Sequence, residues 1–232
     1  MEIEMKARVN DSQIDKLLWY FNTETTYLAK SDEYFSFGGI APKKPKNIIR
    51  IRKEKEVNAY KLLEAFGGDS LGLNFLNINT ILSGFGSPFE VKEIKEKLGF
   101  GPDKEQAWLT VKAKNTSPEG IETNEETEGQ LFEGTEKAFR ESMSIANFKQ
   151  YFTKFKQSFS FYVKNKDENK NNFTMHAELV SVDGVGPYLE IESVVKEKDA
   201  AEASDQIKWF FEHELGITEF DGRSWVDIVE EK

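Results

Sequence analysis

Alternation with a period of two dominates the chain. Glu2, Glu4 and Lys6 share one face of an extended segment, and Ile3, Met5, Ala7 and Val9 share the other. The same alternation sets Arg50 and Arg52 against Ile49 and Ile51, and Lys112 and Lys114 against Leu109, Val111 and Ala113. It recurs where Lys154, Lys156 and Ser158 oppose Phe155, Gln157 and Phe159. Thr174, His176 and Glu178 oppose Phe173, Met175, Ala177 and Leu179, and Glu190 and Glu192 oppose Leu189 and Ile191. These segments predict six or more strands, each with an apolar face and an ionic one.

Helical spacing falls between some of the strands. Ile14, Leu17, Leu18 and Phe21 predict an amphipathic helix capped by Asp11 or Ser12. Phe139, Met143 and Ala146 predict a second, and Ala203, Ile207, Phe210, Phe211 and Leu215 a third that Gly216 closes. Residues 57–66 also read as a helix ending at Gly67-Gly68, before an apolar, glycine-rich stretch and a further helix over 89–98. Most of 115–128 and all of 164–172 are polar and carry turn-forming residues, so they read as loops. No linker parts the chain, which predicts a single domain over 1–232, of α+β class with a mainly antiparallel sheet.

A sheet with one dry and one wet face is ordinary for any single strand. Here the wet faces are built from Glu, Lys and Arg, and the signs are sorted: acids on the first and the late strands, bases on those between. If the sheet curls so that these faces look inward, roughly seven carboxylates and six cations surround one hollow. Each charge left dry and unpaired would cost several kcal/mol, against a net domain stability of about 5–15 kcal/mol. Such a hollow must hold water or a charged ligand.

Composition narrows the chemistry. Of 232 residues, 31 are Lys or Arg and 41 Asp or Glu, a formal charge of −10, which disfavours general binding to nucleic acid or to anionic membranes. There is no cysteine, so disulfides, thiolate metal sites and cysteine nucleophiles are excluded, and a reducing cytoplasm is the expected location. The two histidines, His176 and His213, stand in unrelated contexts, which argues against histidine metal sites and catalytic triads. No apolar run has spanning length, and the mean hydropathy is −0.58. Oxygen-ligand chemistry remains.

The ionic positions form an ordered series. Glu2-Ile3-Glu4-Met5-Lys6 has the form E-x-E-x-K. Asp32-x-Tyr34-Phe35, Arg50-x-Arg52, Leu109-Thr110-x-Lys112, Lys154-x-Lys156, Glu178 and the run Gly186 to Glu192 with its E-I-E ending follow in turn. This series resembles the CYTH, or triphosphate tunnel metalloenzyme, superfamily, which includes thiamine triphosphatases, inorganic tripolyphosphatases, class IV adenylyl cyclases and fungal RNA triphosphatases. The similarity runs from residue 1 to about residue 195, and Glu214-Leu215-Gly216-Ile217 with Ser224-Trp225-Val226-Asp227 resembles the tail of the cyclase-like branch.

The resemblance implies a closed antiparallel β-barrel of eight strands around a polar tunnel, with helices packed outside. It implies that Lys6, Arg50, Arg52, Lys112, Lys154 and Lys156 hold a triphosphate, and that Glu2, Glu4, Glu190 and Glu192 bind Mg2+ or Mn2+. Glu4 would be essential to metal-dependent turnover, and Glu126, Glu128 and Glu178 are the eligible bases. The expected activity is hydrolysis of tripolyphosphate, a nucleoside triphosphate or another organic triphosphate. A class IV adenylyl cyclase, making cyclic AMP and pyrophosphate from ATP, and a non-catalytic polyphosphate or nucleotide sensor are the alternatives. The partner is a small triphosphate, not nucleic acid or membrane, and a homodimer stays open. Two departures stand out: Asn124 takes the arginine position of an R-x-E-x-E motif, and about 57–105 is an insertion where the family has a short hairpin.

Overall fold

The structure, a computed structural model, describes residues 1–40, 47–67, 75–83, 92–98, 106–117, 120–164 and 173–231. In chain order its elements are β1 (Glu2–Arg8), α1 (Asp11–Leu18), β2 (Thr26–Phe37), β3 (Asn47–Asn58), α2 (Ala59–Gly67), α3 (Phe75–Ser83), α4 (Lys92–Leu98) and β4 (Gln106–Thr116). There follow β5 (Glu122–Leu131), α5 (Glu133–Ile145), β6 (Phe148–Val163), β7 (Met175–Val182), β8 (Val185–Val194), α6 (Ala200–Trp209) and α7 (Trp225–Glu230). The strands close into an antiparallel barrel in the order β1-β5-β4-β3-β2-β6-β7-β8, and the helices pack around it as an α+β fold.

Because successive side chains on a strand point to opposite sides, each alternating strand gives one face to the barrel interior and one to its outer wall. Ile3, Met5 and Ala7 of β1, Phe159, Phe161 and Val163 of β6, Met175, Ala177 and Leu179 of β7, and Leu189 and Ile191 of β8 are all buried in one cluster. Ile14 and Leu17 of α1 and Ala203 and Ile207 of α6 complete that cluster from the helices. The main hydrophobic core therefore lies between the wall and the helices, and the interior is left to the charged faces.

Capping explains the helix ends. Asn10, rather than Asp11 or Ser12, caps α1: its oxygen accepts the Gln13 N–H at 3.1 Å while the Gln13 side chain accepts the Asn10 N–H at 2.8 Å. The reciprocal pair satisfies two otherwise orphaned donors, which neither predicted cap does. After α6 the backbone widens into a π turn over Phe210–Leu215 that buries the consecutive Phe210 and Phe211, and Gly216, at φ 72°, ends it as expected.

Several expectations change. The segment 115–128 is mostly strand, because β5 pairs with β4 over its whole length. Its outer positions Glu125 and Thr127 are exposed and its inner ones are Glu122, Asn124, Glu126 and Glu128, so it carries no apolar alternation to read. Residues 57–58 belong to β3, and the helix begins at Ala59. α3 falls in the stretch read as apolar and glycine-rich, and its Ile78, Ile81 and Leu82 join the main core, as do Leu62 and Leu63 of α2. α4 covers Lys92–Leu98, while 89–91 and 165–172 lie outside the described residues. Among the described residues, none of α2, α3 or α4 lines the barrel cavity. No helix among them is long and apolar enough to cross a membrane.

Truncating Leu62 to alanine tests whether α2 is part of this core. Chemical denaturation should show a loss of about 2–5 kcal/mol, and a loss below about 0.5 kcal/mol would mean that the helix is dispensable to the barrel.

Candidate active site

The barrel encloses a cavity of about 850 Å3. Glu2, Glu4, Arg50, Arg52, Lys112, Glu126, Glu128, Lys154, Lys156, Glu178, Glu190 and Glu192 all line it, so twelve of the thirteen residues singled out from sequence come together. Lys6 is the exception. It is 2% exposed and lies behind the lining, donating to Glu122 at 3.1 Å.

Strand order sorts the charges by sign. β4, β3, β2 and β6 are consecutive neighbours and bring Lys112, Lys114, Arg50, Arg52, Lys30, Lys154 and Lys156; β7, β8, β1 and β5 form the other half and bring Glu178, Glu190, Glu192, Glu2, Glu4, Glu122, Glu126 and Glu128. The cavity thus has a basic wall facing an acidic one, with Glu54 and His176 as the crossed exceptions. Ten carboxylates and seven lysine or arginine side chains line it among the described residues, an acidic excess.

Asp32 organises the basic wall from behind. It is fully buried and accepts from Arg52 Nε at 2.8 Å and Arg52 Nη2 at 3.0 Å, with Lys154 Nζ at 3.3 Å and an Arg50 nitrogen at 3.9 Å. Burial pushes its carboxyl up, but Arg52, Lys154 and Arg50 outweigh that and hold it well below the usual range. One carboxylate therefore fixes three cations of the predicted phosphate set. Lys30, also buried, donates to Glu178 at 2.6 Å, and burial followed by repulsion from Arg52 and Lys156 brings its ammonium down despite Glu178. Neither residue was singled out for a role, because β2 mixes Leu28, Lys30, Asp32 and Tyr34 inside with Tyr27, Ala29, Ser31 and Glu33 outside and shows no clean alternation.

Lys112 stands among the carboxylates of the opposite wall, 2.7 Å from Glu2, 3.5 Å from Glu4 and 3.4 Å from Glu126. Burial would raise Glu4, but Lys112, Lys6 and Lys114 bring it down to about 2. Glu2 moves the other way, pushed up by burial and then by Glu4 and Glu192 against the pull of Lys112. Lys156 bridges Glu178 at 2.6 Å and Glu190, and the Trp225 indole donates to Glu190 at 2.5 Å. His176 joins Ser160, at 2.6 Å, to Glu192, at 3.0 Å. Arg50 reaches Glu126 at 3.4 Å and Glu128 at 3.6 Å, and its buried Nε has no hydrogen-bond partner.

No group of three or more His, Asp or Glu side chains is already gathered around a common ion position among the described residues. Lysines and His176 instead stand between the carboxylates. The donor chemistry still suits a hard divalent cation: Glu2 and Glu4 with Glu192 are crowded oxygen donors, Glu2 being raised by burial and then by its two neighbours, and the Asn124 carbonyl oxygen beside Glu2 is buried without a donor.

The depressed carboxylates set the acid limit of the fold. Glu4 titrates near its ordinary 4.5 in the unfolded chain and near 2 in the barrel, so its contribution is fully present above pH 4.5 and is lost as the pH falls towards 2. Asp32 and Glu178 shift in the same direction. Melting temperature should therefore drop steeply between about pH 4.5 and pH 2, less steeply in Glu4→Gln, and equal slopes would remove Glu4 from the ion network.

Solved structures share this architecture. The PH1819 protein of Pyrococcus horikoshii OT3 is 21% identical at a TM-score of 0.63, with 100% of this chain and 99% of that chain covered. PH1012 of the same organism is 19% identical at a TM-score of 0.53, with 98% of each chain covered. HpAC1 from Hippeastrum, a candidate adenylyl cyclase with a dominant triphosphatase activity, is 14% identical at a TM-score of 0.52, with 100% of this chain and 96% of that chain covered. No family model and no curated protein matches the sequence. What these structures share with the chain is its fold, here a closed eight-stranded antiparallel barrel with helices packed outside.

Proposed function

We propose that the chain is a metal-dependent triphosphatase that binds a triphosphate, inorganic or organic, inside the barrel and hydrolyses it with Mg2+ or Mn2+. The division of the cavity into facing basic and acidic walls carries this reading. A triphosphate is a short polyanion. Arg50 and Arg52 offer paired N–H donors to its oxygens, while Lys112, Lys154 and Lys156 act as compact point charges. The acidic excess of the lining would repel such a ligand on its own, so it should enter together with cations that the opposite wall can hold.

Glu2, Glu4, Glu190 and Glu192 are the proposed cation ligands, being the oxygen donors that Mg2+ and Mn2+ prefer. A bound divalent cation would neutralise charge on the phosphate oxygens and orient water for in-line attack. On the protein side, phosphate oxygens take over Arg50 and Lys112 from their carboxylate partners. That frees Glu126, which both cations contact, to accept a proton from water. Glu128 lies beside the same arginine. Glu178, pressed well below its ordinary range by Lys156 and Lys30 in spite of its burial, suits a positioning role better than that of a base. The triphosphatase activity described for the similarly folded HpAC1 supports hydrolysis ahead of cyclisation.

Incubating the purified protein with tripolyphosphate or ATP, each with Mg2+ or Mn2+, and resolving the products tests the reading. Orthophosphate is expected; cyclic AMP with pyrophosphate would replace the proposal by a cyclase, and tight binding without turnover would replace it by a sensor. Glu4→Gln should lose turnover by 100-fold or more while staying folded, since a charged oxygen ligand is removed, on the order of 3 kcal/mol of transition-state stabilisation. Arg50→Ala should chiefly raise KM, and unchanged kinetics would take Arg50 out of the site.

A further inference from the structure

Asn124, at the position where the resembled family carries an arginine, pairs across the β1–β5 ladder with Glu2 and is 1% exposed. Its Nδ2 donates to Glu2 Oε1 at 2.9 Å. That bond sets the orientation of the amide, because the opposite one would press a carbonyl oxygen against a carboxylate. Its Oδ1 is buried and accepts no hydrogen bond. A buried carbonyl oxygen without a donor is rare in folded proteins and marks a place where a donor or an ion belongs.

The surroundings point to an ion. Glu2 touches the amide directly, Glu4 is in register with both Glu122 of β5 and Glu192 of β8, and among the described residues Lys112 is the cation that spans Glu2 and Glu4. The cross-strand neighbour of Asn124 on β4 is Lys114, and its ammonium is committed to Glu122 at 2.5 Å. A water molecule would satisfy the lone oxygen but would do nothing for the crowded carboxylates. A divalent cation answers both, and hard cations accept amide carbonyl oxygens alongside carboxylates.

We propose that Asn124 Oδ1 is a neutral oxygen ligand of the divalent cation held at Glu2. The proposal rests on the reading of Glu2 and Glu4 as cation ligands. It also changes the charge of the site. An arginine there would add a positive charge beside the cation, whereas the amide adds a donor and leaves the negative field of Glu2 intact.

Mn2+ binding to the nucleotide-free protein, followed by loss of the free-ion paramagnetic resonance signal, tests this without relying on turnover. Asn124→Ala should weaken Mn2+ binding about tenfold or more. Asn124→Asp, which keeps an oxygen at the position and adds charge, should bind at least as tightly as the parent. If Asn124 only orients Glu2 through Nδ2, the aspartate repels Glu2 and binding falls in both variants. That result, unchanged affinity in Asn124→Ala, or no Mn2+ uptake by the parent would overturn the proposal. Circular dichroism checks folding, and Asn124→Asp keeps the test decisive should the alanine variant unfold. Mn2+ uptake of the expected pattern in a protein that hydrolyses no triphosphate would uphold this ligand and sink the triphosphatase reading. Hydrolysis with unchanged Mn2+ affinity in Asn124→Ala would do the reverse.

Discussion

Charge kept away from bulk water must be answered by other charge, and this requirement governs the interior of the barrel. Asp32 is answered by Arg52, Lys154 and Arg50, Lys112 by Glu2, Glu4 and Glu126, and Lys156 by Glu178 and Glu190. These pairs reach across neighbouring and facing strands, so each fixes where its strand lies in the ladder. A slip of one residue in β1 would turn Ile3 and Met5 inward and Glu2, Glu4 and Lys6 onto the helices. Both faces of the strand oppose that slip, the outer by hydrophobic burial and the inner by loss of partners.

The same requirement explains why the core is displaced. An interior spent on ion pairs contributes little net stability, because desolvation offsets most of the Coulombic gain. Stability then has to come from apolar area buried on the outer wall, and the helices supply it. α1, α2, α3 and α6 all contribute fully buried side chains to one cluster with β1, β6, β7 and β8. Among the described residues β4 and β5 lack that cover, and the outward Val111 is 46% exposed. The connection from β3 to β4 is thus more than a spacer: Leu62, Leu63, Ile78, Ile81 and Leu82 tie it into the wall.

Sequence reveals a strand when its two faces differ and hides it when they do not. The sorted signs on β1, β3, β4, β6, β7 and β8 were legible because each ionic position alternates with an apolar one, and from them the two-walled cavity follows. β5 was hidden by being polar on both faces, and β2 by carrying aromatic and charged residues on each. Tyr151 escaped notice for another reason. The ladder between β2 and β6 shifts register there, pairing Tyr34 with Phe152 but Phe35 with Gln150, and the extra residue turns Tyr151 into the cavity. The Asn10 cap was missed because two good cap residues follow it, and only the return bond from Gln13 distinguishes them. Asn124 was visible as a substitution, but that its oxygen has no donor is a fact of three dimensions.

Under the proposed function, the ion pairs that satisfy the interior charges are also what the ligands exchange with. Phosphate oxygens replace carboxylates as partners of Arg50, Arg52 and Lys112, and a divalent cation replaces ammonium groups as the partner of Glu2 and Glu4. A triphosphate alone would strand the displaced carboxylates in a cavity already short of positive charge, whereas a cation alone still meets carboxylates in excess. Together they leave every buried charge answered before and after binding. Triphosphate and cation should therefore favour one another's binding, and linkage makes that coupling equal in both directions. The device needs no moving lid. It requires only that the two walls carry opposite signs and face each other, which is what the order of strands around the barrel provides.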